Sequence, residues 1–172
     1  MMNKTSNPAL KLGLAVLVIG LAVAAYTVFT RKATLPDVHL TTLEGKALTS
    51  ADLRGKVVLV NFWATTCTSC VHEMPKIVET YKLFAPRGYE TVAVAMSYDP
   101  PSFVANYAKQ NSLPFKVALD VNGEAAQKFG DIRLTPTSFL IDRQGRIVQQ
   151  YLGEPDFAKL HQLVDELLKQ PV

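Results

Sequence analysis

Two segments of the chain are almost continuously apolar and rich in β-branched residues. They span residues 57–62 and 91–96, and this pattern is typical of strands that are covered on both faces at the centre of a parallel sheet. Further patterns predict a hairpin of 38–40 and 46–48, a helical turn at 50–53, helices at 101–110, 124–129 and 155–169, and strands at 115–119, 137–141 and 146–152. The alternation of strands and helices predicts an α/β fold with a parallel core, to which the final hairpin adds an antiparallel strand.

The segment after the first central strand predicts a helix that begins near Cys67. Apolar residues recur there at spacings of three and four, at Val71, Met74, Val78 and Tyr81, which marks one apolar face. Pro75 lies inside this helix and has no N–H to donate to the carbonyl of Val71. We therefore expect the helix to kink at this proline.

An uncharged stretch of 18 residues, 12–29, precedes the predicted fold. As a helix it would be roughly 27 Å long, close to the hydrocarbon thickness of a bilayer. Two interpretations remain open, an uncleaved membrane anchor and a cleaved signal peptide with Ala22-Val23-Ala24 as an A-x-A-like site. The apolar run continues beyond that site to Phe29, which favours the anchor. The predicted organisation is a tail at 1–11, the anchor at 12–29, a linker at 30–36 and a folded domain at 37–172.

Charge is divided unevenly between these parts. The chain carries 18 basic and 15 acidic side chains, a net charge of +3. Residues 1–36 hold four of the basic side chains and no acidic one, which leaves the rest of the chain at −1. No basic patch with interleaved aromatic residues follows, so we expect no nucleic-acid binding. Both interpretations of the N-terminal segment predict that the folded domain lies outside the cytoplasm.

Cys67 and Cys70 are the two cysteines of the chain and form a Cys-Thr-Ser-Cys motif. As a structural disulfide, the pair would close a loop so short that it contributes only about 2 kcal/mol to stability. Paired free thiols would be oxidised outside the cytoplasm, and a zinc site would need more ligands, for which His39, His72 and His161 are the soft candidates. A redox-active pair is favoured, and the structural disulfide and the metal site remain alternatives.

The position of the pair gives the redox interpretation a physical basis. Cys67 falls where a buried strand turns into a helix, so unpaired backbone N–H groups and the helix dipole would stabilise its thiolate. That thiolate would be the attacking sulfur, and Cys70 lies near enough along the helix to resolve a mixed disulfide. The hydroxyls of Thr68 and Ser69 either bond to the thiolate or belong to ordinary first-turn residues.

Three segments of the chain carry a family resemblance. They are Val60-Asn61-Phe62-Trp63-Ala64-Thr65-Thr66-Cys67-Thr68-Ser69-Cys70, Glu73-Met74-Pro75, and Thr135-Pro136-Thr137-Ser138-Phe139-Leu140-Ile141-Asp142. They resemble the thioredoxin superfamily, and most closely its membrane-anchored thiol-disulfide reductases of the TlpA and ResA type. The resemblance covers residues 36–169. It implies a thioredoxin-like fold, in which a mixed central sheet is flanked by helices, with an N-terminal hairpin and an inserted helix–strand unit at 101–119.

The resemblance also implies roles for individual residues. Cys67 would be the nucleophile and Cys70 the resolving thiol, and Trp63 would pack beside them. Pro136 matches the family's cis-proline, although only about 5–6% of X–Pro bonds are cis in folded proteins. A cis bond would bring the backbone of Thr135 against the disulfide, where it could pair with an extended substrate segment.

Glu73 follows Cys70 by three residues, so both lie on one face of the predicted helix. From the residues alone this acid is equally well a solvent-exposed side chain near the helix start. The relatives keep an acid here as a proton-handling group, and burial would raise its pKa and allow proton exchange with Cys70. Asn61 stands where minimal thioredoxins carry a buried Asp and cannot take up a proton, so that task would fall to Glu73.

Two neighbours of the motif bear on its specificity. Thr66 stands where many relatives have Trp directly before the first cysteine, so a bulky recognition surface is missing there. His72 is expected to face solvent on the helix.

These inferences predict a membrane-tethered thiol-disulfide oxidoreductase that acts mainly as a reductase on the extracytoplasmic side of a bacterial cytoplasmic membrane. We expect no cofactor beyond the Cys67–Cys70 disulfide and no metal. The expected partners are protein disulfides and a membrane electron donor, and the chain is expected to be monomeric. Candidate substrates are the haem-site cysteines of apocytochrome c and the copper-site cysteines of an oxidase assembly factor.

Other functions remain as alternatives. One is a disulfide oxidase or isomerase of the same fold, and another is a chaperone that holds copper or zinc on Cys67 and Cys70 with a histidine. A peroxidase of the peroxiredoxin kind is disfavoured, because Ala64, Thr65 and Thr66 replace the Pro and Thr expected before its reactive cysteine.

Overall fold

The computed structural model describes residues 12–14, 17–22 and 33–171, and the chain divides into two units between Lys32 and Ala33. Within the predicted membrane segment, residues 12–14 and 17–22 are helical. Residues 15–16 and 23–29 of that segment lie outside the described residues, as do the tail at 1–11 and residues 30–32 of the linker. None of the helices in the described ranges combines the length and the apolar character needed to cross a bilayer.

The second unit is built on one mixed sheet. Its strands are β1 (His39–Thr42), β2 (Ala47–Thr49), β3 (Val57–Trp63), β4 (Tyr89–Ala95), β5 (Lys116–Leu119), β6 (Thr137–Ile141) and β7 (Ile147–Leu152), in the spatial order β2-β1-β5-β4-β3-β6-β7. Strands β3, β4 and β5 are parallel, and the outer pairings are antiparallel. The predicted strands and the N-terminal hairpin are confirmed, with boundaries that differ by one or two residues.

Four α-helices connect and cover these strands. They are α1 (Thr68–Phe84), α2 (Pro101–Gln110), α3 (Glu124–Lys128) and α4 (Phe157–Leu168), and 3-10 turns occur at Ser50–Leu53 and Ala85–Arg87. Asp156 accepts a hydrogen bond from the backbone N–H of Lys159 at the start of α4, a side-chain cap that satisfies one free donor of the first turn. The inserted unit predicted at 101–119 is α2 followed by β5.

Strand β6 runs antiparallel to its neighbour β3, with Phe62 opposite Thr137 and Val58 opposite Ile141. The parallel strand β5 ends at the same edge of the sheet as β3. Helix α3, which follows β5, has five residues and spans only about 7 Å. The chain then enters β6 at the edge where β3 ends.

The sheet has an apolar core on each face. In β3, Val57, Leu59 and Trp63 belong to the core that α1, α2 and α4 cover, and Val58, Val60 and Phe62 belong to the core that α3 covers. All seven residues of β3 are buried, which confirms a strand covered on both faces. Asn61 also points to the α1 side, where it is the polar exception.

The buried face of α1 differs from the predicted stripe. The residues that are buried are Cys70, Glu73, Met74, Ile77, Thr80 and Phe84. Val71 is 36% exposed, so the stripe through Val71, Met74, Val78 and Tyr81 is wrong at its start. Burial does not follow hydrophobicity here, because Asn61 and His161 offer polar partners to Glu73 and Thr80 inside the protein. The helix continues through Pro75 to Phe84, and the expected kink stays a prediction.

Candidate active site

Cys67 and Cys70 are joined by a disulfide across 5.2 Å between their Cα atoms. They lie just beyond the C-terminal end of β3, where Cys67 caps the N-terminus of α1. The backbone N–H of Cys70 donates a hydrogen bond of 3.2 Å to Sγ of Cys67. This N–H is one of those that have no carbonyl partner in the first turn of a helix, and such groups favour negative charge on the sulfur they face.

The two sulfurs differ in accessibility. Cys67 is partly exposed, whereas Cys70 is completely buried in the core beneath α1. The hydroxyl of Ser69 lies 3.5 Å from Sγ of Cys67, where it can donate to that sulfur. An incoming sulfur can therefore reach Cys67 but not Cys70.

A loop before β6 lies against the exposed sulfur. The Thr135–Pro136 peptide bond is cis, as the family resemblance implies, and the carbonyl oxygen of Thr135 is 3.5 Å from Sγ of Cys67. The carbonyl of Pro136 accepts a hydrogen bond of 2.8 Å from the backbone N–H of Gly153. Thr135 is half-buried and Pro136 is buried, so the backbone of Thr135 borders the accessible side of the disulfide.

Glu73 is completely buried on the same face of α1 as Cys70. One amide N–H of Asn61 donates 2.9 Å to Oε1 of Glu73, and the other donates 2.9 Å to Oγ of Ser138. Burial raises the pKa of Glu73 to about 7, although the hydrogen bond from Asn61 favours the carboxylate and acts in the opposite direction. Both protonation states of this carboxyl are therefore accessible near neutral pH.

Trp63 lies in the core and not on the surface. Its side chain is completely buried, and its ring centroid is 5.1 Å from that of Tyr107 on α2. It belongs to the same apolar cluster as Cys70 and Met74. Trp63 is therefore part of the apolar core against which the buried cysteine packs.

Three residues near the site were not predicted from the sequence. Buried Asp99 accepts hydrogen bonds of 2.6 Å from both the backbone N–H and the hydroxyl of Thr65, which holds the segment before Cys67. The hydroxyl of Tyr98 lies 3.4 Å from that of Thr135. One signal could have identified Tyr98 and Asp99, since both follow β4 at the carboxyl edge of the parallel strands, where functional loops gather.

Glu154 is the third of these residues and lies in the link between β7 and α4. It accepts from His72 Nδ1 at 3.1 Å and from Lys76 Nζ at 2.5 Å. Its partners on α1 are about eighty residues away in the sequence, so no local pattern could have indicated this contact. His72 is exposed, which confirms the expectation of a solvent-facing histidine. In the part of the chain that the structure describes, no three His, Cys, Asp or Glu side chains are grouped so as to hold a metal ion.

The chain is similar to several known proteins over most of its length. Residues 30–164 match the family model described as Redoxin. The thiol-disulfide oxidoreductase ResA of Bacillus thuringiensis is 38% identical over 132 residues, covering 77% of this chain and 75% of that protein. The protein of the same name from Geobacillus kaustophilus is 33% identical over 149 residues, covering 81% and 84%.

Solved structures of thioredoxin-type proteins are also similar to this chain. A candidate thioredoxin of Neisseria meningitidis superposes with a TM-score of 0.75 at 41% identity, covering 81% of this chain and 93% of that one. A thiol:disulfide interchange protein of Chlorobium tepidum, of the thioredoxin family, gives 0.73 at 32% identity, covering 81% and 98%. With its Cys67–Cys70 pair at a helix start, the chain therefore belongs to the redoxin family, among the thiol-disulfide oxidoreductases of the ResA type.

Proposed function

We propose that the protein is a membrane-tethered reductase of protein disulfides that acts outside the cytoplasm, with Cys67 as the nucleophile. The observation that carries this proposal is the difference between the two sulfurs. Cys67 is partly exposed at the N-terminus of α1, and Cys70 is completely buried behind it. The sulfur of Cys67 can therefore contact a substrate disulfide, and the sulfur of Cys70 acts only in the second step.

The reaction begins from the reduced pair. The thiolate of Cys67 attacks one sulfur of the substrate disulfide, forms a mixed disulfide and releases the other substrate sulfur as a thiolate. The thiolate of Cys70 then attacks Sγ of Cys67, which closes the Cys67–Cys70 disulfide and releases the second substrate thiolate. Two electrons pass to the substrate, which leaves as a dithiol after it takes up protons.

The second step needs a proton acceptor for Cys70, because a buried thiol does not ionise readily. Glu73 is the candidate, since it lies on the same helix face and its pKa of about 7 allows it to gain or lose a proton at neutral pH. The backbone of Thr135 beside Pro136 is proposed to pair with an extended substrate segment while its sulfur is bonded to Cys67.

The uncharged stretch at 12–29 and the basic residues on both sides of it support the proposed membrane tether. A tethered domain outside the cytoplasm needs electrons from a membrane partner that passes them between thiols, which returns the Cys67–Cys70 disulfide to the dithiol. The proposal can be tested by labelling intact reduced cells with a membrane-impermeant maleimide. Labelling of Cys67 without lysis, in the membrane fraction, is expected, and labelling only after lysis would contradict the location.

The proposed substrates are the haem-site cysteines of apocytochrome c or the copper-site cysteines of an oxidase assembly factor. A suitable probe is an oxidised peptide with the Cys-x-x-Cys-His haem-attachment motif. The reduced chain should reduce this peptide in a single turnover. The variant Cys70→Ser should instead accumulate a one-to-one mixed disulfide with it, since the resolving thiol is absent.

Cys67→Ser is the matched control, because it removes the other sulfur of the pair and should give no adduct. If Cys70→Ser forms no adduct, or if Cys67→Ser forms the same one, the proposed order of steps is wrong. The reduction potential of the pair tests the direction. A strongly oxidising value of about −120 mV would indicate an oxidase, and a value of about −270 mV or below would support the reductase.

A further inference from the structure

Asn61 is the one polar residue of the buried strand β3. It is completely buried, and on the same face of the strand it is flanked by Leu59 and Trp63 of the core beneath α1. An uncompensated amide in such surroundings is costly. Its side chain is directed by two hydrogen bonds of 2.9 Å, one to Oε1 of Glu73 and one to Oγ of Ser138.

Asn61 is the hydrogen-bond donor in both of these contacts. Both hydrogen bonds use the Nδ2 group, so Asn61 acts as a donor toward Glu73, and its Oδ1 atom has no partner among the described residues. In this arrangement the N–H of the amide, and not its carbonyl, meets the carboxyl group, and the contact with Ser138 holds the amide in place. A donor in this position stabilises the carboxylate more than the neutral acid.

We propose that Asn61, oriented by Ser138, is a positioning residue for Glu73: it holds the carboxyl group on the Cys70 side of α1 and sets how readily that group binds a proton. The inference rests on the proposed transfer of a proton from Cys70 to Glu73. Two strands and a helix meet at this point, since Asn61 belongs to β3, Ser138 to β6 and Glu73 to α1.

Other charged or titratable groups also face Glu73 or lie next to it. From α1 these are Cys70, His72 and Lys76, and the link after β7 contributes Glu154, whose negative charge raises the pKa of Glu73. His72 and Lys76 both bind Glu154. Tyr151 lies opposite Ser138 on β7. Asn61 differs from all of these in making a direct hydrogen bond to the carboxyl group.

The test follows the ionisation of Glu73 itself. The full chain, in its disulfide form, carries ¹³C in its glutamate carboxyl groups and is titrated by NMR from pH 5 to 9. The signal of Glu73 is assigned as the one that is missing in the spectrum of Glu73→Gln. In Asn61→Leu the titration midpoint should move upward by about one pH unit, since a hydrogen bond to a charged group is lost. Ser138→Ala should move it in the same direction by less, because the amide keeps its bond to Glu73.

Thr91→Val is the matched control, since Thr91 carries a buried hydroxyl on the adjacent strand β4. The titration midpoint of Glu73 in this variant should equal that of the unchanged chain.

A rescue variant combines Asn61→Asp with Glu73→Gln, which exchanges donor and acceptor across the same contact. The reduced dithiol form of each variant is reacted with 5,5′-dithiobis(2-nitrobenzoic acid): Cys67 forms a mixed disulfide and releases one aromatic thiolate, and Cys70 then attacks Sγ of Cys67 and releases the second. The rate of this second phase should lose its pH dependence near 7 in Glu73→Gln. This pH dependence should return in the double variant.

The outcomes separate the inference from the proposed function. If Glu73→Gln leaves the pH profile of the second phase unchanged, the proton transfer itself is refuted. If that profile changes but Asn61→Leu and Ser138→Ala keep the NMR midpoint of the unchanged chain, Asn61 has only a structural role and the inference is overturned. If Asn61→Leu does not fold, the NMR midpoint of Glu73 in Ser138→Ala tests the inference by itself.

Discussion

The buried carboxyl group of Glu73 should make the stability of the oxidised protein fall as the pH rises. The pKa of Glu73 is raised by burial from 4.5 to about 7 in the folded protein. Between these values the folded state holds a proton that the unfolded state has released. Unfolding therefore releases a proton, and the free energy of unfolding decreases with increasing pH. The stabilisation is fully present below pH 4.5 and is lost as the pH passes through 7.

The variant Glu73→Gln removes this titration and keeps a side-chain oxygen that can accept from Asn61. Its free energy of unfolding, relative to the unchanged chain, should therefore increase with pH from a baseline below pH 4.5. Linkage with the two pKa values gives an increase of about 2 kcal/mol at pH 6 and about 3 kcal/mol at pH 8. The difference should level off above pH 8, since both states are then ionised.

Urea unfolding at a series of pH values, followed by the fluorescence of the single tryptophan, Trp63, measures this difference directly. Glu79→Gln is the matched control, because Glu79 lies on the same helix with its side chain exposed, and a flat difference is expected for it. A flat difference for Glu73→Gln as well would refute the reasoning, since the folded protein would then gain nothing from keeping this carboxyl neutral.

Three further changes test other parts of the structure. Asp99→Asn should cost about 1–3 kcal/mol of stability in urea unfolding, because the amide cannot accept from both donors of Thr65 as the carboxylate does. Phe62→Ala should cost about 3–5 kcal/mol in the same assay, since this ring is completely buried and leaves a cavity. Glu154→Gln should lower the NMR midpoint of Glu73, because a neighbouring negative charge is removed.

Each of these changes has a matched control in the chain. Asp131→Asn alters an exposed carboxyl that pairs with Arg133, and Phe103→Ala alters a ring that is 56% exposed, so both should leave the stability nearly unchanged. Glu166→Gln alters an exposed acid of α4 and should leave the Glu73 midpoint in place. Equal effects in a variant and its control would contradict the contact assigned to that variant.

The strands and the cysteine pair could be predicted from the sequence because their signals are local. The run Val57–Phe62 is apolar over its whole length, and a motif of two cysteines directly after such a strand leaves few alternatives. The helix boundaries followed from apolar spacing and from turn residues in the same way. Each of these inferences depends on residues that are close together in the chain.

The polar interior beneath α1 could not be predicted in this way. Glu73 reads equally well as an exposed acid, and its burial depends on Asn61, twelve positions away, and on Ser138, seventy-seven positions from Asn61. The stripe that starts at Val71 failed for the same reason, since hydrophobic periodicity assumes that the core accepts only apolar side chains. Which face of a helix is buried is decided by its partners when those partners are polar.

The direction of β6 connects the fold to the chemistry. Phe62 lies opposite Thr137 in an antiparallel pair, so the residues just before β6 meet the residues just after β3. This places Thr135 and Pro136 at the edge of the sheet where α1 begins, with the carbonyl oxygen of Thr135 3.5 Å from Sγ of Cys67. A parallel β6 would start at the opposite end of the sheet, about 20 Å away for a strand of this length. The antiparallel direction of β6 is therefore what places the loop before it, and not the loop after it, beside the exposed cysteine.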